Sequence, residues 1–190
     1  MRADIVPGSK FPDYELPDHT GTRRHLSELQ GKDPVALVLA RGSFCPREHR
    51  QHVWMVEMEP EVVLSYTRFI TVSTDPVLGC LEWRSRLGAH WALLSDEEGV
   101  LQRDLEIAEY TDPLRNGTVP HTVMLEPGLR VYKIYVGYWY WGRPTQEEVR
   151  QDFRAMSMRC HPDWDITKPE LRENWESGDK SLFFPYRKMG

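Results

Sequence analysis

The chain has 190 residues, 40% of them hydrophobic and 28% charged, with a net charge of −5. That composition describes one soluble globular domain with a sizeable core; it excludes a disordered chain and argues against nucleic acid as the main partner, since no basic stripe is present. The longest apolar run, PVALVLA at 34–40, is too short to cross a bilayer, and MRADIVPGSKFPDYEL lacks the apolar stretch of a secretory signal, so no membrane association and a cytoplasmic location are expected.

In chain order, FPDYELPDHTGTRRHLSEL alternates turn signals with short apolar pieces and predicts an N-terminal hairpin. PVALVLA reads as a strand buried on both faces. Pro46 suits the first turn of a helix, which Pro60 should kink or end. RFITVST at 68–74 is the next buried strand. Thr74, Asp75 and Pro76 open a helix that Gly88 closes. WALLSD is a short strand. Ser95 and Glu98 have the spacing of a capping box, predicting a helix from there to about Leu105. VPHTVMLEPGLRVYKIYVG predicts two strands around Pro127 and Gly128. TQEE at 145–148 is a second capping box, for a helix to about Arg159. The order β-α-β-α-β-α-β-β-α implies an α/β fold: a mixed, mostly parallel central sheet flanked by helices, with an antiparallel final hairpin. Residues 160–190 are turn-rich and read as a C-terminal arm beside a domain of 1–159.

The three cysteines, Cys45, Cys80 and Cys160, are widely spaced and odd in number. They form no disulfide framework and no C-x-x-C pair, so no metal site is expected. Cys45 stands in ARGSFCPREHRQ at 40–51, just past a strand end and just before a helix. In open α/β sheets ligands meet the carboxyl ends of strands. A helix N-terminus directs backbone N–H groups and a positive dipole end at such a sulfur, and Arg41, Arg47 and Arg50 add cations; these favour the thiolate, the reactive form. The plain alternative is a small buried filler. Glu48 either orders nearby arginines or is a first-turn acid favoured by the dipole. His49 and His52 share a helix face that can approach the thiol.

Here the sequence resembles the peroxiredoxins of the AhpC/TSA (redoxin) group, thioredoxin-like proteins, over roughly residues 7 to 165. FPDYELPDHTGTRRHLSELQGKDPVALVLA resembles the opening hairpin and first core strand, and FCPRE the F-x-C-P-x-E around a peroxidatic cysteine. TVSTDPVLGCLEWRSRLG, LLSDEEGVLQRDLEI and VPHTVMLEPGLRVYKIYVG resemble the elements that follow, in the same order. RCHPDWDITKPELREN is similar to the arm of two-cysteine members, where a resolving cysteine precedes a proline and a tryptophan. The resemblance implies a thioredoxin-like fold and a thiol peroxidase. Cys45 would attack a hydroperoxide and become a sulfenic acid, with Arg41 stabilising the thiolate and Cys160 resolving; a thioredoxin-like or other thiol would be the reductant. Cys80 occupies the place where some related thiol peroxidases carry their resolving cysteine.

The resemblance also implies that Gly42, Phe44, Pro120, His121 and Trp139 surround the substrate. Val38 and Gly42 stand where the family's P-x-x-x-T-x-x-C has its proline and threonine, so the threonine donor is missing. Pro120 replaces a second family arginine and resembles the cis-proline of thioredoxins. In the thioredoxin-like layout His121 should face the cysteine, as a proton donor or as a structural polar contact. Trp139, in the aromatic loop YVGYWYWGRPT, walls a pocket or serves core or dimer contacts; Arg143 in that loop is a weaker electrostatic candidate than Arg41. No metal or organic cofactor is implied, and a symmetric homodimer is the default assembly. The competing readings are a thiol-disulfide oxidoreductase and a non-enzymatic redoxin-fold module for redox sensing or binding.

Overall fold

The computed structural model describes residues 1–112 and 114–183. A short N-terminal hairpin, β1 (Glu15–Pro17) and β2 (Arg23–His25), leads into α1 (Leu26–Gln30). There follow β3 (Val35–Leu39), α2 (Pro46–Leu64), β4 (Arg68–Ser73), α3 (Val77–Leu87), β5 (Ala92–Ser95) and α4 (Val100–Asp104). The chain closes with β6 (His121–Glu126), β7 (Arg130–Val136), α5 (Gln146–Cys160) and α6 (Pro169–Glu176). The main sheet has five strands in the order β5-β4-β3-β6-β7. β3, β4 and β5 run parallel, while β6 lies antiparallel to β3 with Leu39 opposite His121.

β3 sits at the centre because all five of its residues are buried, which requires cover on both faces. Strand alternation divides them. Val35, Leu37 and Leu39 enter one core with Phe11, Leu26 and Leu101; Ala36 and Val38 enter the other with Met55, Trp83 and Phe153. Thus α1 and α4 cover one face, and α2, α3 and α5 the other. β3 delivers the chain to its carboxyl edge, and α2 departs from that edge over the second face. Among the described residues no helix is long and apolar enough to cross a membrane.

Several expectations need correction. Of the two outcomes expected at Pro60, a kink or an end, α2 does not end there but runs on to Leu64. Pro60 is exposed, while Met55, Met58, Glu59 and Val62 are buried on either side of it, and this seating outweighs the missing N–H. Ser95 caps no helix. It is the last residue of β5, pairs with Ser73, and donates its hydroxyl to Asp75 O at 2.7 Å. α4 starts later, after Gly99 at φ 65°, and its first-turn N–H groups on Leu101 and Gln102 are taken by the buried Asp96 carboxylate at 3.1 and 2.9 Å. Strand pairing with β4 thus overrides the local capping pattern. The second box holds: Thr145 accepts from Glu148 N, and Glu148 reaches back to Thr145 N. The C-terminal arm contains a helix the sequence reading lacked, α6, with Leu171 as its buried residue.

The Asp96 arrangement has a measurable consequence. Asp96→Ala should lower unfolding free energy by about 1–2 kcal/mol, the usual range for a lost cap. Glu98→Ala should change it by under about 0.5 kcal/mol, as for other exposed positions. Urea denaturation of both variants checks this, and a larger loss from Glu98→Ala would restore the capping box of the sequence reading.

Candidate functional site

Cys45 is the N-cap residue of α2, with extended backbone at φ −84° and ψ 118°. The loop that carries it is tightly held. Gly42 has φ 140°, and a Cβ there would lie 2.5 Å from the Phe44 ring, so glycine fits where a side chain would not. Cys45 N donates to Gly42 O at 3.1 Å. Asp75, just beyond β4, accepts from Ser43 N at 2.7 Å, Ser43 Oγ at 3.0 Å and Ser73 Oγ at 2.6 Å. The loop is thereby anchored to the neighbouring parallel strand. Cys45 makes no side-chain capping bond to α2, and Pro46 at the first helical position has no N–H to offer. The Arg41 guanidinium lines the same cavity as the sulfur.

Arg41 is itself held. Its guanidinium donates to Glu109, through Nε to Oε2 and through NH2 to Oε1 at 3.0 Å, and to Asp112 Oδ2 at 3.3 Å. Burial alone would lower the Arg41 pKa; the bonds to Glu109 and its charge raise it overall. Glu48, one turn into α2, is fully buried and makes the second clamp. Its Oε1 accepts from Arg143 NH2 and, at 3.3 Å, from Arg41 N. The Arg143 side chain is only 8% exposed, and it also donates to Gly137 O at 3.2 Å. Burial pushes the Glu48 carboxyl up, against the pull of Arg143. Of the two sequence readings of Glu48, the structure shows the one that orders arginines.

These groups border one cavity of about 790 Å³, lined by Cys45, Arg41, Arg143, Glu109, Pro120 and Trp139 among others. The structure therefore brings Cys45, Arg41, Pro120 and Trp139 together. Glu109 and Asp112 were absent from the sequence reading; no local motif marks them, and they arrive on the loop that precedes β6. Gly42 contributes its backbone turn. Phe44 does not line the cavity: its ring lies under the guanidiniums of Arg41 at 5.5 Å and Arg115 at 5.0 Å.

His121 is a correction. It lines a separate cavity of about 410 Å³ with Ile107, Val119 and Ile134, and its Nδ1 lies 2.7 Å from Val119 O. Strand alternation explains this. On β6, Val123 and Leu125 share the face of α4, whereas Thr122 meets α2 and accepts from Gln51 Nε2 at 3.1 Å. The period-two rule applied to VPHTVMLE carries the signal that separates His121 from the Cys45 face.

The other thiols are elsewhere. Cys80 is buried in α3, donates weakly to Asp75 O at 3.6 Å and Leu94 O at 3.7 Å, and burial pushes its pKa up to about 12. Cys160 ends α5, whose first turn follows the Arg143 loop. At 1.5 Å rise per residue the helix carries Cys160 about 20 Å from its first turn. The Arg159–Glu126 ion pair at 3.1 Å places it by the far end of β6. Disulfide Cα atoms lie within about 7 Å, so Cys160 does not reach Cys45 within one chain. His49 is exposed, and His52 is buried against Trp83 with ring centroids 4.4 Å apart. Among the described residues no three His, Cys, Asp or Glu side chains cluster as a metal-binding group.

A family model described as AhpC/TSA family matches residues 7–134. A Mycobacterium tuberculosis protein whose name carries the word peroxiredoxin is 30% identical over 94 residues, which is 50% of this chain and 61% of that relative's length. The solved structure of peroxidoxin BcpB from Mycobacterium tuberculosis superposes with a TM-score of 0.67 at 20% identity, covering 79% of this chain and 95% of that one. A thiol:disulfide interchange protein of the DsbE type from Chlorobium tepidum superposes with a TM-score of 0.64 at 21% identity, covering 80% and 99%. These two structural likenesses establish the thioredoxin-like fold.

His52 generates a pH prediction. Its ring nitrogens bond Glu48 O at 2.8 Å and Thr71 Oγ1 at 3.0 Å. Burial pushes its pKa down to about 4 from 6.5. Between those values the unfolded chain binds the proton that the folded one refuses. The contribution is thus complete above pH 6.5 and is lost as pH falls toward 4, by up to about 3 kcal/mol. Urea midpoints should fall more between neutral pH and the acid end of that window for the unmodified chain than for His52→Gln. Equal falls would contradict the assignment.

Proposed function

This chain belongs to the AhpC/TSA family, and we propose from that premise that it is a thiol-dependent peroxidase acting through Cys45. The observation that carries the proposal is a sulfur that lines a cavity together with a guanidinium that a carboxylate holds in place. The reacting form of cysteine is the thiolate. Its electron pair attacks the distal oxygen of a hydroperoxide and the O–O bond breaks. Sulfur becomes a sulfenic acid, and the released alkoxide or hydroxide takes a proton to leave as alcohol or water.

The missing threonine donor shifts the work to the arginines. Arg41 and Arg143 supply fixed positive charge where the leaving oxygen gains negative charge, in a partly desolvated site where such charge acts strongly. Pro120 takes the second arginine's place in the chain, and Arg143, entering from the loop after β7, takes over its charge. His121 has no part in this scheme.

Resolution follows from where the thiols stand. A thioredoxin-like or other thiol reductant attacks the sulfenic sulfur; Cys160 can serve only between chains, in a homodimer that sets the arm of one copy against the cavity of the other. A cytoplasmic location supplies such reductants.

Stopped-flow oxidation by hydrogen peroxide tests the proposal. Cys45→Ser should abolish peroxide consumption, and Arg41→Gln should lower the second-order rate constant about 10²-fold, the scale of a lost preorganised donor. A Cys45 that ignores peroxide yet exchanges rapidly with disulfides would show a thiol-disulfide oxidoreductase instead.

A further inference from the structure

His121 is a buried titratable side chain that the Cys45 chemistry leaves unused. It is 3% exposed, yet it lines a cavity of about 410 Å³. That cavity shares no lining residue with the Cys45 site. The two sit back to back across the same strand ends. His121 pairs with Leu39 on one side and Val136 on the other, while their chain neighbours Pro120 and Gly137 line the Cys45 cavity.

One side of the imidazole is fixed. Nδ1 lies 2.7 Å from Val119 O, which can only accept, so Nδ1 carries the proton. Burial disfavours a second proton and pushes the His121 pKa down. Nε2 is therefore a bare acceptor, and it has no hydrogen-bond partner among the described residues. An acceptor left unpaired in an apolar cavity is costly, so a ligand that brings a donor is favoured there.

The rest of the lining describes the body that carries this donor. Ile5, Ile107, Val119, Ile134 and Val136 are apolar. Glu106 adds one carboxylate to the lining, and the Met1 amine acts on His121 as a positive charge, so the two offset and draw in neither an anion nor a cation. An ion would also lose its hydration against the isoleucines. The N-terminal segment that supplies Ile5 is pinned at both ends. Arg2 N donates to Leu105 O at 2.8 Å, Arg2 pairs with Asp104 at 2.9 Å, and Gly8 N donates to Val131 O at 2.7 Å. A preformed apolar cavity with one placed polar group is the usual form of a small-molecule site, and this volume lies within the usual range of roughly 300–1,000 Å³. A phenol combines a flat apolar body with an O–H donor.

We propose that this cavity binds a neutral, ring-sized molecule of the phenol class, whose hydroxyl donates to His121 Nε2 while its ring lies against Ile107 and Ile134. The site does not depend on any reaction at Cys45.

The test uses the intact chain and two probes, p-cresol and p-methylanisole, which share one ring and differ in whether the oxygen carries a proton or a methyl. Calorimetric titration gives the affinities, and nitrogen–proton correlation spectra of the imidazoles show which histidine responds. The cresol should bind about tenfold more tightly, the scale of one net hydrogen bond, and should shift the His121 Nε2 resonance. His121→Leu should bring the two probes to equal affinity. Should that variant fail to fold, Val136→Trp, at a lining residue that is 49% exposed, should weaken both probes about tenfold or more. Equal affinity for both probes in the unmodified chain, binding of neither, or cresol-induced shifts confined to the Cys45 loop with His121 unmoved would overturn the site.

Discussion

A buried carboxylate shared between two arginines is the constraint on which the site depends. Glu48 has no exposed surface, and its one accepting oxygen serves both the Arg143 side chain and the Arg41 backbone. A carboxylate without water must be paired, and breaking such a pair from one side is costly. Glu48 therefore fixes two things together. It ties the loop ahead of Cys45 to the first turn of α2, and it draws the loop after β7 over the same edge of the sheet. The second clamp, Glu109 on Arg41, then holds a guanidinium in the cavity that the sulfur lines.

The sulfur's place was legible because it follows from short-range rules. An apolar run, a glycine, a cysteine and a proline specify strand, turn and helix start within a dozen residues. The succession of elements and the antiparallel closing hairpin were legible for the same reason, since periodicity and turn residues are local signals. The charge network was not. Glu48 and Arg143 are 95 residues apart, and Arg41 and Glu109 are 68 apart, so only the folded sheet edge makes them neighbours. Local signals also misled where tertiary pairing competed with them. Ser95 carried a capping pattern but was claimed by strand pairing with Ser73, and Asp96 did the capping. His121 looked like a site residue by its proximity in sequence to Pro120, yet the alternation of β6 turns it to the opposite face.

The positions where this chain departs from the family pattern form a consistent set. Position 42 is a glycine at φ 140° where a Cβ would meet the Phe44 ring, and Asp75 anchors the loop through Ser43. Position 120 is a proline, and Arg143 lines the same cavity from another loop. The remaining thiols complete the contrast. Cys80 is sealed under α3 with its proton held by burial, and Cys160 marks the far end of α5. The proposed reactive centre thus consists of one sulfur and the charges gathered around it.

The most direct measurement is a double-mutant cycle on Glu48→Gln and Arg143→Gln, read as the rate constant for Cys45 oxidation by hydrogen peroxide in folded protein. If the pair works as one clamp, each single variant slows the reaction about tenfold or more, and the double variant is little slower than either one. Effects that simply multiply, or single variants that react at the rate of the unmodified chain, would show that the buried pair does not govern the sulfur, and the account would fall.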